Sequence, residues 1–208
     1  DNAQIFIRPG EDIRQTFAES MALRAHRRAA YVAIRDLPAV TQDGTQVAIN
    51  INAGLLTDLD DLAETGADGV GLWRTEIPFM VYTDLPDVEA QSQIYGDFFA
   101  RAEGKPVVFR TLDVGGDKVL PYWNHDGEEN PAMGWRAIRI SLDRPAVLRQ
   151  QFRALLRAAG ERDLRLMFPM ISEVAEFDAA RRLLDLELAR EAARGKTFGG
   201  RLFVGTML

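Results

Sequence analysis

The sequence predicts an α/β fold built on a parallel sheet with helices on both faces. From Gln46 onward, short apolar runs alternate with helix-like stretches in a strand–turn–helix rhythm. The runs are near-continuously apolar, as strands buried on both faces require. Two of them end in the same dipeptide, Arg74-Thr75 and Arg110-Thr111. In a parallel α/β sheet the carboxyl ends of the strands carry the ligand site.

The elements follow in order. Residues 4–7 are a short apolar run closed by Pro9-Gly10, the pattern of a strand tail and a turn. Residues 11–33 hold no Gly or Pro, and Ile13, Phe17 and Met21 recur every four residues, which predicts a helix with a narrow apolar stripe. So thin a stripe suits a linker helix better than a core helix, and Pro38 stops it. Residues 47–52 are the first strand of the rhythm. Thr57 is placed to cap a helix through Leu59, Leu62 and Ala63, whose acidic first turn suits the helix dipole, and Gly66 ends it. Residues 69–73 and 106–109 are the second and third strands. Residues 135–159 read largely as helix, broken near Pro145. Residues 164–170 are a fourth strand. Ser172 caps a long helix to about Arg194, with Gly195 beyond its end, and residues 202–208 begin a fifth strand.

An open doubly wound sheet and a (β/α)8 TIM barrel both fit this order. No G-x-G-x-x-G turn follows the first strand, which weighs against dinucleotide binding. A barrel needs eight strands in about 250 residues, so the about five strands here make it a partial barrel preceded by a linker helix.

Composition narrows the function. The chain has 208 residues, 47% hydrophobic and 27% charged, as in a soluble globular domain with a sizeable core. No apolar run approaches the roughly 20 residues of a membrane helix, and the first nine residues lack the start of a signal peptide. A cytoplasmic protein without membrane contact is expected. There is no cysteine, hence no disulfide and no thiol nucleophile within the chain. A net charge of −6 weighs against nucleic acid as a partner but leaves room for a local basic site.

Such a site is visible. Arg74 and Arg110 end neighbouring strands and are expected to share one mouth. Guanidinium is a permanently charged planar fork that matches phosphate and carboxylate, so the pair points to a small polyanion. The alternative is that each pairs with a carboxylate such as Glu76 or Asp113 and organises the rim. Both are expected at strand mouths, outside the core, so that folding does not depend on their charge. The stretch Asp113-Val114-Gly115-Gly116-Asp117-Lys118 follows the third strand, and its glycines and Lys118 suit a phosphate-cradling loop, though not a Walker loop. Arg136 and Arg139 lie three apart on the next helix. Arg136 either reaches the mouth or ties its loop to an acidic neighbour. His26 lies among Arg24, Arg27 and Arg28, and His125 in a polar loop, neither at metal or catalytic spacing. The clusters Asp58-Asp60-Asp61 and Asp84-Asp87-Glu89 read as caps and solvated surface, not as a metal site.

These stretches resemble a known family. Gly66-Ala67-Asp68-Gly69-Val70-Gly71-Leu72-Trp73-Arg74-Thr75-Glu76 and Phe109-Arg110-Thr111-Leu112-Asp113-Val114-Gly115-Gly116-Asp117-Lys118 resemble the phosphate-binding arginine segments of enzyme I of the bacterial phosphotransferase system. Glu128-Glu129-Asn130-Pro131, Gly134-Trp135-Arg136-Ala137-Ile138-Arg139 and Met167-Phe168-Pro169-Met170-Ile171 look like the same family, in the same order. The resemblance covers residues 37–208, as the N-terminal part of a phosphoenolpyruvate-binding barrel. Residues 1–36 resemble the end of the swivelling phosphohistidine domain and its linker helix. Trp73 and Ile77-Pro78-Phe79-Met80 lean toward the nitrogen-regulatory branch over the sugar-transport branch.

The resemblance implies an enzyme that transfers phosphate from phosphoenolpyruvate to its own histidine and on to a histidine-containing phosphocarrier protein, working as a homodimer. Arg74 and Arg110 would bind the substrate's phosphoryl group, with Arg136 and Lys118 as further candidates. No catalytic residue and no metal ligand is expected within the chain. The phosphohistidine lies ahead of it, and the Mg2+ ligands and acid cysteine lie beyond Leu208, so the fragment alone is expected to be inactive. The alternatives are the related barrel of a phosphoenolpyruvate-utilising dikinase or synthase, or a non-catalytic dimerisation module using the exposed edges of the first and fifth strands.

Overall fold

Five parallel strands form one sheet in sequence order: β1 (Asn50–Ala53), β2 (Gly69–Arg74), β3 (Val107–Arg110), β4 (Leu164–Phe168) and β5 (Leu202–Thr206). The computed structural model describes residues 6–115 and 134–207. A doubly wound sheet reverses its strand order at a switch point. The unbroken order β1-β2-β3-β4-β5 has no such reversal and is that of a partial (β/α)8 barrel, with the sheet not closed on itself.

Two units make up the structure, Asp1–Val47 and Ala48–Leu208. In the first, helix α1 (Glu11–Ile34) forms as expected but buries none of its residues, and Phe17 and Met21 of its stripe are exposed. A turn then closes with Val40 bridging Gln46. Phe6 and Ile7 are in no strand, and the rest of the predicted strand tail lies outside the described residues.

In the second unit a 3-10 turn, Leu56–Leu59, leads into α2 (Asp60–Glu64) after β1. Helices α3 (Glu76–Phe79) and α4 (Val88–Arg101) join β2 to β3. Helices α5 (Ile138–Asp143) and α6 (Pro145–Ala159) precede β4, and α7 (Val174–Ala193) links β4 to β5. Several boundaries move from expectation for identifiable reasons. β1 starts at Asn50 because the Val47 N–H donates to the Ala39 carbonyl and the Ile49 N–H to the Asp68 carboxylate. Thr57 lies inside the 3-10 turn, and the capping role falls to Asp58, which accepts from the Gly54 and Leu55 N–H groups at 2.7 and 2.9 Å. The helix predicted from residue 135 begins at Ile138, since Ala137 has φ 53°. Its break comes at Arg144, with Pro145 opening α6. At α7 the first helical residue is Val174, and Glu176 reaches back to accept from Ser172 and Glu173. Helix α4 was not among the expected elements. Asp87 caps it by accepting from the Ala90 N–H at 2.8 Å.

The core lies between the sheet and its helices. Trp73 on β2 stacks on Phe98 of α4 with centroids 3.9 Å apart, and Tyr95 and Phe109 meet the indole edge-on at 5.5 and 5.1 Å. All four are at most 1% exposed. Such aromatic pairs add roughly 0.5–1.5 kcal/mol each beyond the area they bury. The helix layer thus holds β2 and β3 rigidly just below their carboxyl ends.

Candidate functional site

Trp73 and Phe109 are register partners across β2 and β3, and so are Arg74 and Arg110 one residue later. Side chains alternate across a strand. With the aromatic pair packed on α4, the arginine pair lies on the opposite face, side by side at the carboxyl ends. The twin Arg-Thr ends therefore meet, as the sequence predicts.

Their surroundings differ. Arg74 is exposed, and its charge helps lower the Asp58 carboxyl, after the larger effect of the Leu55 and Gly54 backbone N–H groups. Arg110 is only 5% exposed. Its Nη2 donates to Glu76 Oε1 at 2.5 Å, and its Nη1 pairs with Asp113 Oδ2 at 3.0 Å. The other Asp113 oxygen accepts from Arg136 Nη2 at 3.1 Å. The four groups form an alternating row, Glu76–Arg110–Asp113–Arg136. Glu76 and Asp113 are 1% and 4% exposed, and burial of ionised groups this deep is tolerable only when they are mutually paired. Their formal charges cancel. Arg74 adds a positive charge beside this row, with the Asp58 carboxylate in its field. The expectation that folding ignores the charge of both arginines therefore fails for Arg110, which is part of a buried ionic row.

Gly115 completes the row. It has φ +114°, and a Cβ there would lie 2.6 Å from the Arg136 Cβ. Only glycine lets this loop close on Arg136, where the Ala137 N–H donates to the Val114 carbonyl at 2.9 Å. Arg136 precedes α5 and ties its loop to Asp113, one of the two roles the sequence leaves open for it. Arg139 on α5 donates to the Gly134 carbonyl at 2.8 Å.

The model of the PEP-binding domain of PEP-utilising enzymes matches residues 28–208. The chain belongs to this family. A phosphoenolpyruvate-protein phosphotransferase of Latilactobacillus sakei is 41% identical over 208 residues, all of this chain and 36% of the relative. One from Priestia megaterium is 39% identical over 207 residues, and one from Bacillus subtilis (strain 168) is 37% identical over 207. Each alignment takes in 100% of this chain and 36% of the relative, so the chain spans little more than a third of the length of these relatives.

Lys118, the Gly116-Asp117 pair, Glu128-Glu129-Asn130-Pro131 and His125 lie outside the described residues. His26 is an exposed residue of α1. Asp58 and Asp87 cap local structure, as the acidic clusters predict. Among the described residues no three His, Asp or Glu side chains come together as a metal would require. No described helix is long and apolar enough to cross a membrane.

Behind the mouth lies a second polar group that sequence reasoning missed. Gln151 of α6 is 2% exposed. Its Nε2 donates to Thr75 Oγ1 at 3.0 Å and to the Tyr95 hydroxyl at 3.2 Å, and its Oε1 accepts from the Leu112 N–H at 3.0 Å. Thr75 Oγ1 in turn donates to the Arg110 carbonyl at 2.8 Å. The available signal is Gln151 lying among Leu148, Phe152 and Leu155 on the apolar stripe of α6, where an unpaired amide would be costly.

Proposed function

We propose that the domain binds phosphoenolpyruvate at the mouth formed by Arg74 and Arg110, as part of a phosphoenolpyruvate-protein phosphotransferase. The observation carrying this reading is the side-by-side placement of the two arginines at the carboxyl ends of adjacent parallel strands. Arg74 presents its fork to solvent and to an incoming phosphoryl group. Arg110 is oriented by two carboxylates, so its charge sits in place before substrate arrives. Its Nε is buried and has no partner among the described residues. An anionic oxygen has the chemistry to match that donor. Phosphoryl transfer depends mostly on positioning and charge stabilisation, and fixed guanidinium groups supply both without reorganising. Arg136 supports the site by holding Asp113, and Lys118, five residues after Asp113 in the sequence, is a further candidate.

In the parent enzyme the phosphoryl group leaves phosphoenolpyruvate for an enzyme histidine and passes to a histidine-containing carrier protein. That parent works in the cytoplasm as a homodimer. Magnesium accompanies this chemistry in the family, but the described residues do not fit it: Glu76 and Asp113, the carboxylates at the mouth, are both engaged by arginine.

Calorimetric or NMR titration of the chain with phosphoenolpyruvate tests the reading. Losing a charge-assisted hydrogen bond of roughly 1.5–3 kcal/mol should weaken binding about 10- to 100-fold in Arg74→Ala. Arg74→Lys should recover part of it, keeping charge without the paired fork. Equal affinity for wild type and Arg74→Ala would remove the mouth from consideration.

A further inference from the structure

We infer that Gln151, on α6 behind the sheet, is a positioning residue for the anion site, clamping both arginine-bearing strand ends through Thr75 and Leu112. The inference rests on the proposed reading of the mouth and concerns how that mouth is held.

The donor pattern admits one arrangement. The Leu112 N–H needs an acceptor, which makes the atom facing it Oε1 and leaves Nε2 to donate on the other side. The single Thr75 hydroxyl proton goes to the Arg110 carbonyl, so that oxygen accepts from Gln151. Tyr95 accepts the second amide proton and gives its own to Gln91 Oε1 at 3.2 Å, while Gln91 Nε2 donates to the Pro86 carbonyl at 2.7 Å. Every link has a donor at one end and an acceptor at the other.

The links end at significant places. Thr75 directly follows Arg74, and its hydroxyl grips the carbonyl of Arg110. Leu112 lies between Arg110 and Asp113, the two members of the buried ionic row. One amide thereby fixes the end of β2 relative to the end of β3, and the turn that carries Asp113. An apolar side chain would fill the same space on α6 without the desolvation cost of an amide. What the amide adds is a fixed separation and orientation of the strand ends. A displacement of about 1 Å at a site of this kind costs up to roughly 10²-fold in function.

Phosphoenolpyruvate affinity of the chain is the test, measured by NMR titration beside thermal melts. Gln151→Met keeps length and bulk but makes no clamp bonds, and Thr75→Val keeps shape without the hydroxyl. Each should weaken binding roughly tenfold while the protein remains folded, and Thr75→Ser should return to near wild type. Gln151→Glu supplies a readout that mere packing would not move. Its protonated acid keeps the carbonyl acceptor and one of the amide's two donors, whereas the ionised form keeps neither donor, and burial raises its pKa. Its affinity divided by that of wild type at the same pH should therefore rise as pH falls from 7.5 to 5.5, with the ligand's own titration cancelling. Binding within twofold of wild type by both Gln151→Met and Thr75→Val, while Arg74→Ala loses binding, would overturn the clamp. Should those two variants fail to fold, a Gln151→Glu ratio that is flat with pH overturns it instead. Wild-type binding by Arg74→Ala would sink the mouth reading, and this inference with it.

Discussion

Arg110→Ala should destabilise the domain far more than Arg74→Ala, although both residues end a strand in the same dipeptide. Arg110 serves two carboxylates. When it is removed, Asp113 keeps Arg136 at 3.1 Å, whereas Glu76, 1% exposed, loses the guanidinium at 2.5 Å. Removing one partner of a buried ion pair costs about 3–5 kcal/mol, because the other charge stays buried. Whole domains are stable by only about 5–15 kcal/mol. At about 2–4 °C per kcal/mol for a domain of this size, Tm should fall by roughly 6–20 °C. Arg74 is exposed, and its removal should change stability by no more than about 0.5 kcal/mol. Urea unfolding followed by tryptophan fluorescence measures both, since Trp73 is buried beside the site. A further variant checks the cause. Arg110→Met combined with Glu76→Met removes both charges together and should recover much of the loss, because a buried pair replaced by apolar groups is often neutral. Arg110→Ala within about 1 kcal/mol of wild type, or a double variant worse than the sum of the singles, would refute the reasoning.

Three other expectations follow from the same structure. Asp58 is held below the usual carboxylate range by the Leu55 and Gly54 N–H groups, and Glu191 by Arg157. Groups with lowered folded pKa stabilise fully above their unfolded values of about 4 and lose that contribution as pH falls through the folded value. Stability should be flat from pH 7 to about 5 and drop below about 4, less steeply in Asp58→Asn, and equal acid slopes would contradict the assignment. Gly96 in α4 has open space where a Cβ would go, so Gly96→Ala should stabilise by about 0.5–1 kcal/mol. Gly69→Ala should destabilise, because its Cβ would lie 2.5 Å from the Pro106 carbonyl oxygen, and melting temperatures that do not separate the two variants would count against both. Glu187 is fully buried between α7 and α6 and accepts from Arg149 at 2.6 Å and Arg153 at 2.9 Å. Glu187→Gln should cost about 3 kcal/mol, the low end for a broken buried pair, since its arginines keep contact with water, and a chemical denaturation curve identical to wild type would exclude that role.

The sheet is legible in the sequence because it depends on local pattern. The strands are legible as near-continuous apolar runs, and the alternation of side chains along a strand then puts Arg74 and Arg110 on the face opposite Trp73 and Phe109. Helix α4 is less legible. Its buried face runs through the polar Gln91 and the helix contains Gly96, which interrupt the apolar period. Trp73, on which the nitrogen-branch resemblance partly rests, has an evident packing role against Phe98. Gln151 shows the limit of local reading. Its partners Thr75 and Leu112 are 76 and 39 residues away, and no periodicity connects them. The sequence also cannot show which arginine a carboxylate chooses. Glu76 is two residues from Arg74, yet its 2.5 Å partner is Arg110, on the neighbouring strand.

That choice decides how the two identical strand ends divide their work. A carboxylate two residues along its own chain follows the strand into α3, where it is buried and out of solvent. From there the guanidinium of the adjacent strand is the one it meets. Arg110 becomes a fixed charge inside a neutral row, with its backbone carbonyl held by Thr75 on the other side. Arg74 keeps its contact with water and lies outside that row. Under the proposed reading, a polyanion entering the mouth would meet one charge fixed in position and one still in water. Only the second side chain must be ordered when the ligand binds, and ordering a long side chain costs roughly 0.5–1.5 kcal/mol. A pair of exposed arginines would lose that amount twice, so under that reading the buried carboxylates, although they occupy part of Arg110, would favour binding by fixing it beforehand.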